Sequence, residues 1–201
     1  MKEVQQHMEE IKIQSKTETV KPSIKNGVWL ATWKQESVGM NWFKHCGPGK
    51  INAARSTLLA IQTYTMVNNT LPPFVCYYGW AYSKSKGGFY EVTKVLEHDM
   101  HIDEKYHTPE DGVPGILGND RNISCATGDS FTEDYDADCL DHSAYAIAKM
   151  CNEMEIDFKC YKFLSSNRPY VNHDAWIEDC LAGAELMRKM CEGRFGDVPN
   201  G

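Results

Sequence analysis

The chain has 201 residues, of which 42% are hydrophobic and 24% are charged, and its formal net charge is −7 at pH 7. This length fits one domain, and the apolar and charged fractions are those of an ordinary globular protein. The basic residues are scattered along an acidic chain, which argues against nucleic acid as a partner. No apolar run approaches the roughly 18 to 20 residues that a membrane span needs. A small-molecule ligand is therefore favoured, with no membrane partner.

The N-terminus and the cysteines bear on the cellular compartment. The opening MKEVQQHMEEIK has acidic and amide residues where a secretory signal has an apolar stretch, so we expect a cytoplasmic protein. The eight cysteines lie in apolar runs, without the close pairs of a disulfide framework or a zinc ribbon, and are predicted to be buried thiols. His98 and His101 resemble half of a metal site, but no further ligands are suggested. We predict neither a metal nor a cofactor.

The first half of the chain begins with a polar, weakly periodic segment. Residues 1–26 are predicted to form an N-terminal arm, followed by one domain over 27–194 and a C-terminal tail over 195–201. Residues 28–33 and 40–44 are rich in β-branched and aromatic residues around a polar turn, which predicts a β-hairpin. After Gly47-Pro48-Gly49-Lys50, apolar residues recur at helical spacing and predict a helix that reaches about Asn68.

In the second half, predicted strands and helices alternate. The predicted elements are strands over 74–78, 89–96 and 123–127, a helix over 140–154, a strand over 158–164 and a helix over 172–192. This order predicts an α/β fold with three α/β/α layers around a central, mostly parallel twisted sheet. Ligands are then expected beyond the carboxyl ends of the strands.

Two segments at predicted strand ends carry candidate chemistry. The segment 46–55 places flexible backbone before a helix, so that free amide groups and the helix dipole could bind an anion. The residues by themselves favour a tight turn required for packing over an anion site. Gly128-Asp129-Ser130-Phe131 follows a buried strand, and Phe131 could present its ring face to a cavity as a stacking surface for a purine. A phenylalanine that closes the core beside a turn is the alternative.

Several segments in order along the chain share one resemblance. They are CGPGKINAA (46–54), YGWA (78–81), HD (98–99), TGDSF (127–131), LDHSAYAIAKMC (140–151) and KFLSSN (162–167). Each is similar to a motif of the 5′-methylthioadenosine/S-adenosylhomocysteine nucleosidases, members of the nucleoside phosphorylase/nucleosidase superfamily. The resemblance covers roughly residues 28 to 190. It implies a nucleoside phosphorylase-like fold, a purine nucleoside as the ligand and a homodimer.

The resemblance also implies positions for substrate binding. Phe131 stands where the family stacks a ring on the purine, and the backbone of Thr132 stands where the base edge is read. His142 and Ser143, with Asp141 just before them, replace the segment that holds the ribose hydroxyls through a glutamate. The segment Gly79, Trp80 and Ala81 stands where the family brings backbone close to the ligand.

Three residues are candidates for catalysis by the same resemblance. Ser166 stands where the family's aspartate protonates the purine at N7, and Asn167, one place on, could hydrogen-bond N7 although an amide is not a general acid. Glu10 lies near the position of the glutamate that activates water, with an exposed helical charge pair as the alternative. The resemblance implies a purine nucleosidase that hydrolyses an adenosine-like nucleoside. A catalytically inactive binding or interaction protein of the same fold and a nucleoside phosphorylase are the alternatives.

Overall fold

The structure, a computed structural model, describes residues 24–100 and 123–195. Most of the predicted N-terminal arm, including Glu10, lies outside the described residues. His101 and all of the predicted tail except its first residue also lie outside them.

Within the described residues, strands and helices follow each other in an order close to the predicted one. The strands are β1 Val28–Ala31, β2 Lys44–His45, β3 Phe74–Tyr82, β4 Gly88–Glu97, β5 Ile123–Thr127, β6 Cys139–Asp141 and β7 Asp157–Ser165. The helices are α1 Lys50–Asn68, α2 Ala144–Glu153 and α3 His173–Phe195, with short 3₁₀ helices at Ile24–Asn26 and Lys34–Ser37. The predicted helix over 140–154 thus begins at Ala144, because residues 139–141 pair with β5 as a strand.

Five of the described strands close into a mixed barrel in the order β3-β6-β5-β4-β7, and β7 pairs back with β3. The β3–β6 and β4–β7 pairs are antiparallel. The prediction of an open, mostly parallel sheet between two helical layers is therefore wrong. The reason lies in β7, which pairs along its whole length with β3 and uses its last residues to pair with β4 on its other edge. The alternation of apolar residues along a strand does not show which other strands it pairs with, so the sequence could not predict this closure.

The predicted hairpin over 28–33 and 40–44 is also wrong. The strand β1 pairs in parallel with β2, with Leu30 opposite Lys44 and Ala31 opposite His45. The intervening 3₁₀ helix Lys34–Ser37 turns the chain around the buried Glu36, so that the chain runs back before β2 begins. A two-residue edge strand can then run in the same direction as β1.

The helices cover the barrel and its β1 extension from two sides. Alternate residues of β3 serve the two sides: Val75 and Tyr77 pack with α1 and α2, whereas Cys76 and Tyr78 pack with α3. All eight cysteines are free and buried, which confirms the prediction of buried thiols. Over residues 24–100 and 123–195, no helix combines the length and apolar character required to span a membrane.

Candidate functional site

A cavity of about 520 Å³ lies where β1, β5, β6 and β7 end, against the middle of β3. This volume is within the range of roughly 300–1,000 Å³ found for small-molecule sites. Its aromatic lining consists of Trp33, Tyr77, Trp80, Phe131 and Tyr170. Its polar and charged lining consists of Thr32, Asp129, Asp141, His142 and Arg168. The cavity therefore combines an aromatic lining with several charged or ionisable side chains.

The floor of the cavity is built around Asp141, the last residue of β6, which is 3% exposed. Its carboxylate accepts hydrogen bonds from Lys162 Nζ at 2.6 Å, Thr127 Oγ1 at 2.6 Å and the Tyr77 hydroxyl at 3.2 Å. Burial alone would raise the pKa of Asp141, but the charge and the hydrogen bond of Lys162, together with the Thr127 hydrogen bond, hold this pKa below its usual value. Asp141 therefore stays ionised at neutral pH.

His142 brings a titratable group to the cavity wall beside Asp141. Its Nδ1 donates a hydrogen bond to the Gly128 carbonyl oxygen at 2.6 Å, because a carbonyl can only accept. In the neutral ring, Nε2 then has a free lone pair. His142 can accept a proton at Nε2 and return it, as acid–base chemistry in the cavity requires.

Phe131 lies at the rim of the cavity and is 39% exposed. The Tyr82 ring packs against it in a T-shaped arrangement, with the ring centroids 4.9 Å apart. The guanidinium carbon of Arg168 lies 4.6 Å from the centroid of the Phe131 ring. Phe131 therefore faces a cavity and not the aliphatic core.

The structure brings four of the predicted substrate-binding residues to the cavity wall: Trp80, Phe131, Asp141 and His142. The other predicted positions, Gly79, Ala81, Thr132 and Ser143, are not part of that wall. Thr132 Oγ1 instead accepts a hydrogen bond from the Asp134 backbone N–H at 3.0 Å. Ser143 and Ala81 are completely buried.

Two of the predicted catalytic residues, Ser166 and Asn167, follow the end of β7 and are not part of the cavity wall. Asn167 Nδ2 donates to Asp179 Oδ2 at 2.8 Å, and Asn167 Oδ1 accepts from Asn172 Nδ2 at 3.3 Å. The amide of Asn167 is thus engaged at the start of α3 and in the loop before it. Ser166 is exposed, and Glu10 lies outside the described residues. Catalytic roles for these three residues stay predictions.

Glu36, which no sequence motif singled out, is 1% exposed and lies behind the cavity wall. Its carboxylate accepts hydrogen bonds from the backbone N–H groups of Thr32, Trp33 and Trp80 at 2.7–2.8 Å. All three donors line the cavity, so Glu36 holds the end of β1 against β3. Burial raises the pKa of Glu36 to about 7. One sequence signal pointed to Glu36. It is an acidic residue shortly after the apolar segment 28–33, whereas no apolar segment precedes Glu10.

The start of α1, which was a candidate anion site, is occupied by a carboxylate of the protein itself. The Lys50 backbone N–H donates to Asp129 Oδ1 at 2.7 Å. The Lys50 Nζ forms ion pairs with Glu97 at 2.7 Å and with Asp99 at 2.5 Å. Among the residues that the structure describes, no group of three or more His, Cys, Asp or Glu side chains is arranged to hold a metal ion.

No protein-family model matches this chain, and no curated protein matches it. Solved structures do match over most of the chain. The 5′-methylthioadenosine/S-adenosylhomocysteine nucleosidase of Campylobacter jejuni is 15% identical, with a TM-score of 0.63 over 83% of this chain and 98% of that chain. The Colwellia psychrerythraea enzyme of the same name, in complex with adenine, is 14% identical, with a TM-score of 0.67 over 86% and 96%. A futalosine hydrolase mutant of Helicobacter pylori is 12% identical, with a TM-score of 0.65 over 83% and 98%.

These matches show that the chain has the nucleoside phosphorylase-like fold. They are solved structures of the nucleosidases that the sequence motifs resemble, and of a hydrolase with the same fold. The fold implied by the motifs is therefore confirmed, although its layer arrangement is not the one expected from the element order.

Proposed function

We propose that this protein binds a purine nucleoside in the cavity and hydrolyses its N-glycosidic bond. The observation that carries the proposal is one cavity that combines an aromatic rim with an ionised carboxylate, Asp141, on its floor. Nucleobases stack on aromatic rings, and a carboxylate stabilises the positive charge that develops on a sugar as its glycosidic bond breaks. We propose an adenosine-like nucleoside as the substrate, such as methylthioadenosine or S-adenosylhomocysteine.

Each part of the cavity has a role in the proposed reaction. The base stacks at the rim near Phe131, and the sugar lies on the floor near Asp141. Water attacks the anomeric carbon, His142 Nε2 accepts the proton of that water, and the electrons of the C–N bond leave with the base. The imidazolium can then return its proton to the departing base.

Hydrolysis is favoured over phosphorolysis by the charges around the start of α1. A phosphate that approached this helix N-terminus would meet the carboxylate of Asp129, which already accepts the first backbone hydrogen bond. The nearby Lys50 is neutralised by two carboxylates. Arg168 lies over the Phe131 ring at the rim, where the proposal places the base and not the sugar.

A second candidate is a nucleoside-binding protein without catalysis. The placement of Asn167 favours it, because its amide is held by Asp179 and Asn172 and does not line the cavity. Ser166, which cannot act as a strong acid, stands next to it. Binding needs only the rim and the floor, both of which are intact in this arrangement.

The test is release of free base from methylthioadenosine, S-adenosylhomocysteine, adenosine, inosine and guanosine, with and without phosphate, followed by chromatography. We expect phosphate-independent release from at least one adenine nucleoside. His142→Gln should lower the rate by about 10²- to 10⁴-fold with little change in nucleoside affinity. His173→Gln is the matched control, because that histidine is exposed at the start of α3.

Each outcome separates the candidates. Binding without release from any nucleoside would establish the non-catalytic alternative, and release only with phosphate would establish a phosphorylase. A protein that binds none of these nucleosides would overturn the proposal. We also propose the homodimer implied by the resemblance, which size-exclusion chromatography with light scattering would test.

A further inference from the structure

The Asp141 carboxylate has no hydrogen-bonding capacity left for a ligand. Protein groups already donate to both of its oxygens, at distances of 2.6–3.3 Å. The donors are Lys162 Nζ, the hydroxyls of Tyr77 and Thr127, and the backbone N–H groups of Ser143 and Ala144. A carboxylate has about four lone-pair sites, so these donors saturate it. Asp141 therefore gives the cavity its charge, but it is not the group that receives a sugar hydroxyl.

A chain of two hydroxyl groups connects Asp141 with another part of the cavity wall. The Tyr77 hydroxyl lies 3.2 Å from Asp141 Oδ2, and Thr32 Oγ1 lies 2.7 Å from the Tyr77 hydroxyl. An ionised carboxylate can only accept, so the single hydroxyl hydrogen of Tyr77 points to Asp141. Thr32 then donates its own hydrogen to the Tyr77 oxygen. The direction of both hydrogen bonds is thus set by Asp141.

The Thr32 hydroxyl is consequently an acceptor on the cavity wall. Its hydrogen is engaged by Tyr77, and its oxygen keeps lone pairs for a ligand. The backbone of Thr32 is fixed on both sides, because its N–H donates to Glu36 at 2.8 Å and its carbonyl accepts from the Gly47 N–H at 3.1 Å. A β-branched side chain is also restricted in rotation. Thr32 therefore presents an acceptor at a fixed position, which suits a hydroxyl donor.

We infer that Thr32 accepts a hydrogen bond from the 2′-hydroxyl of the bound nucleoside and so distinguishes a ribonucleoside from a 2′-deoxyribonucleoside. This inference rests on the proposed function, in which the base stacks near Phe131 and the sugar lies near Asp141. The 2′-hydroxyl is the sugar hydroxyl next to the anomeric carbon, where the charge of Asp141 and the water at His142 are needed. It is therefore the hydroxyl nearest to the hydrogen-bond network of Asp141, in which Thr32 has an acceptor site to spare.

The experiment compares nucleosides that differ by one hydroxyl. The probe is carbocyclic adenosine, in which a methylene group replaces the ring oxygen, so that the bond to the base is not hydrolysed while binding is measured. Its 2′-deoxy and 3′-deoxy forms are the comparison ligands, and titration calorimetry gives the affinities.

Three variants accompany the wild-type protein. Thr32→Val keeps the shape of the side chain but lacks the hydroxyl, whereas Thr32→Ser keeps the hydroxyl. Thr57→Val is the matched control. Thr57 is also buried, but it lies on α1, where its hydroxyl donates to the Ala53 carbonyl at 2.7 Å, and it is not part of the cavity wall.

We expect the wild type, Thr32→Ser and Thr57→Val to bind carbocyclic adenosine about three- to tenfold more tightly than its 2′-deoxy form, as one hydrogen bond between uncharged groups provides. In Thr32→Val this ratio should fall to about one while the affinity for the 2′-deoxy form changes little. A ratio of one in the wild type, or one that survives in Thr32→Val, overturns the inference. A dependence on Thr32 that appears for the 3′-hydroxyl instead overturns the choice of hydroxyl.

The outcome for the proposed function is read separately. Binding of any of the three ligands by the wild-type protein shows that a nucleoside site exists, whatever the ratio. If none of them binds, the proposed function and this inference are both overturned. Circular dichroism checks the fold of Thr32→Val, which should be retained because the hydrogen bonds of Thr32 to Glu36 and Gly47 use its backbone. The wild-type ratio requires no variant, so it tests the inference even if Thr32→Val does not fold.

Discussion

Replacing Lys162 with methionine tests the ion pair under the cavity. Lys162 is fully buried, and its Nζ lies 2.6 Å from Asp141 Oδ2 and 4.0 Å from the Tyr77 ring centroid. Removing one partner of a buried pair leaves an uncompensated charge and costs about 3–5 kcal/mol. Asp141 keeps its hydrogen bonds from Thr127 and the Ala144 backbone, which favours the lower half of that range. We expect Lys162→Met to lose about 3–4 kcal/mol of unfolding free energy at pH 8.

The loss should depend on pH with a definite sign. In the wild-type protein, the folded pKa of Asp141 is lowered, so its contribution to stability is present above the unfolded value of about 3.9 and is lost as the pH falls. Without Lys162, burial raises the pKa of Asp141. Its ionisation then opposes folding, and stability is lost as the pH rises. The deficit of Lys162→Met relative to the wild type should therefore be smaller at pH 5 than at pH 8.

Urea denaturation followed by tryptophan fluorescence at these two pH values measures both effects. Lys149→Met is the matched control, because Lys149 and Glu153 are exposed and 3.7 Å apart, and its change should stay within about 0.5 kcal/mol. Replacing both buried partners, as in Asp141→Asn with Lys162→Met, should recover part of the loss. A deficit under about 1 kcal/mol, or one that grows towards pH 5, would refute this account of the pair.

Three further predictions concern the rim, a helix and the buried glutamate. Phe131→Ala should weaken adenosine binding by about 1–3 kcal/mol in calorimetry with little change in melting temperature; unchanged affinity would remove the stacking role. Gly183→Ala places a Cβ against the buried Tyr78 hydroxyl and 2.8 Å from Phe163 Cβ, and it should lower the unfolding free energy by about 1–3 kcal/mol, whereas Gly193→Ala, with nothing within 4 Å, should raise it by about 0.5–1 kcal/mol. Glu36 has a raised pKa, so its contribution to stability is present below its ordinary value of 4.5 and is lost as the pH rises to about 7. Glu36→Gln should remove this pH dependence from the urea midpoints. An unchanged pH dependence would contradict its attribution to Glu36.

Local sequence patterns located most of the elements and part of the site. The helix predicted after Lys50 and up to about Asn68 is α1, which begins at Lys50, and the predicted helix over 172–192 differs from α3 by one to three residues at its ends. Apolar periodicity is a local property, so it can be read from the sequence. Phe131 was found in the same way, because a ring that follows a buried strand and a glycine turn stands at a strand end.

The remainder of the site depends on contacts between distant segments. Glu36 accepts a hydrogen bond from Trp80, which lies 44 positions later in the sequence, and Asp141 accepts one from Lys162, which lies 21 positions later. A lysine within an apolar strand was the one local sign of such a pair. Asn167, one place after the position that aligns with the catalytic aspartate, was a candidate to hydrogen-bond the base, yet its amide is bound by Asp179 on α3. An alignment places a residue along the chain but does not orient its side chain.

By itself, the sequence determined the alternation of strands and helices, the buried thiols and the aromatic residue at the rim, because each depends on neighbouring residues and on burial. The tertiary structure decided that the sheet closes into a barrel, that β1 and β2 run parallel, and that Asp141 is held ionised by Lys162. Strand pairing and the burial of opposite charges arise only when segments far apart in the chain meet. The free energy of strand pairing and of burying an ion pair arises from contacts between these distant segments, so no local pattern reveals it.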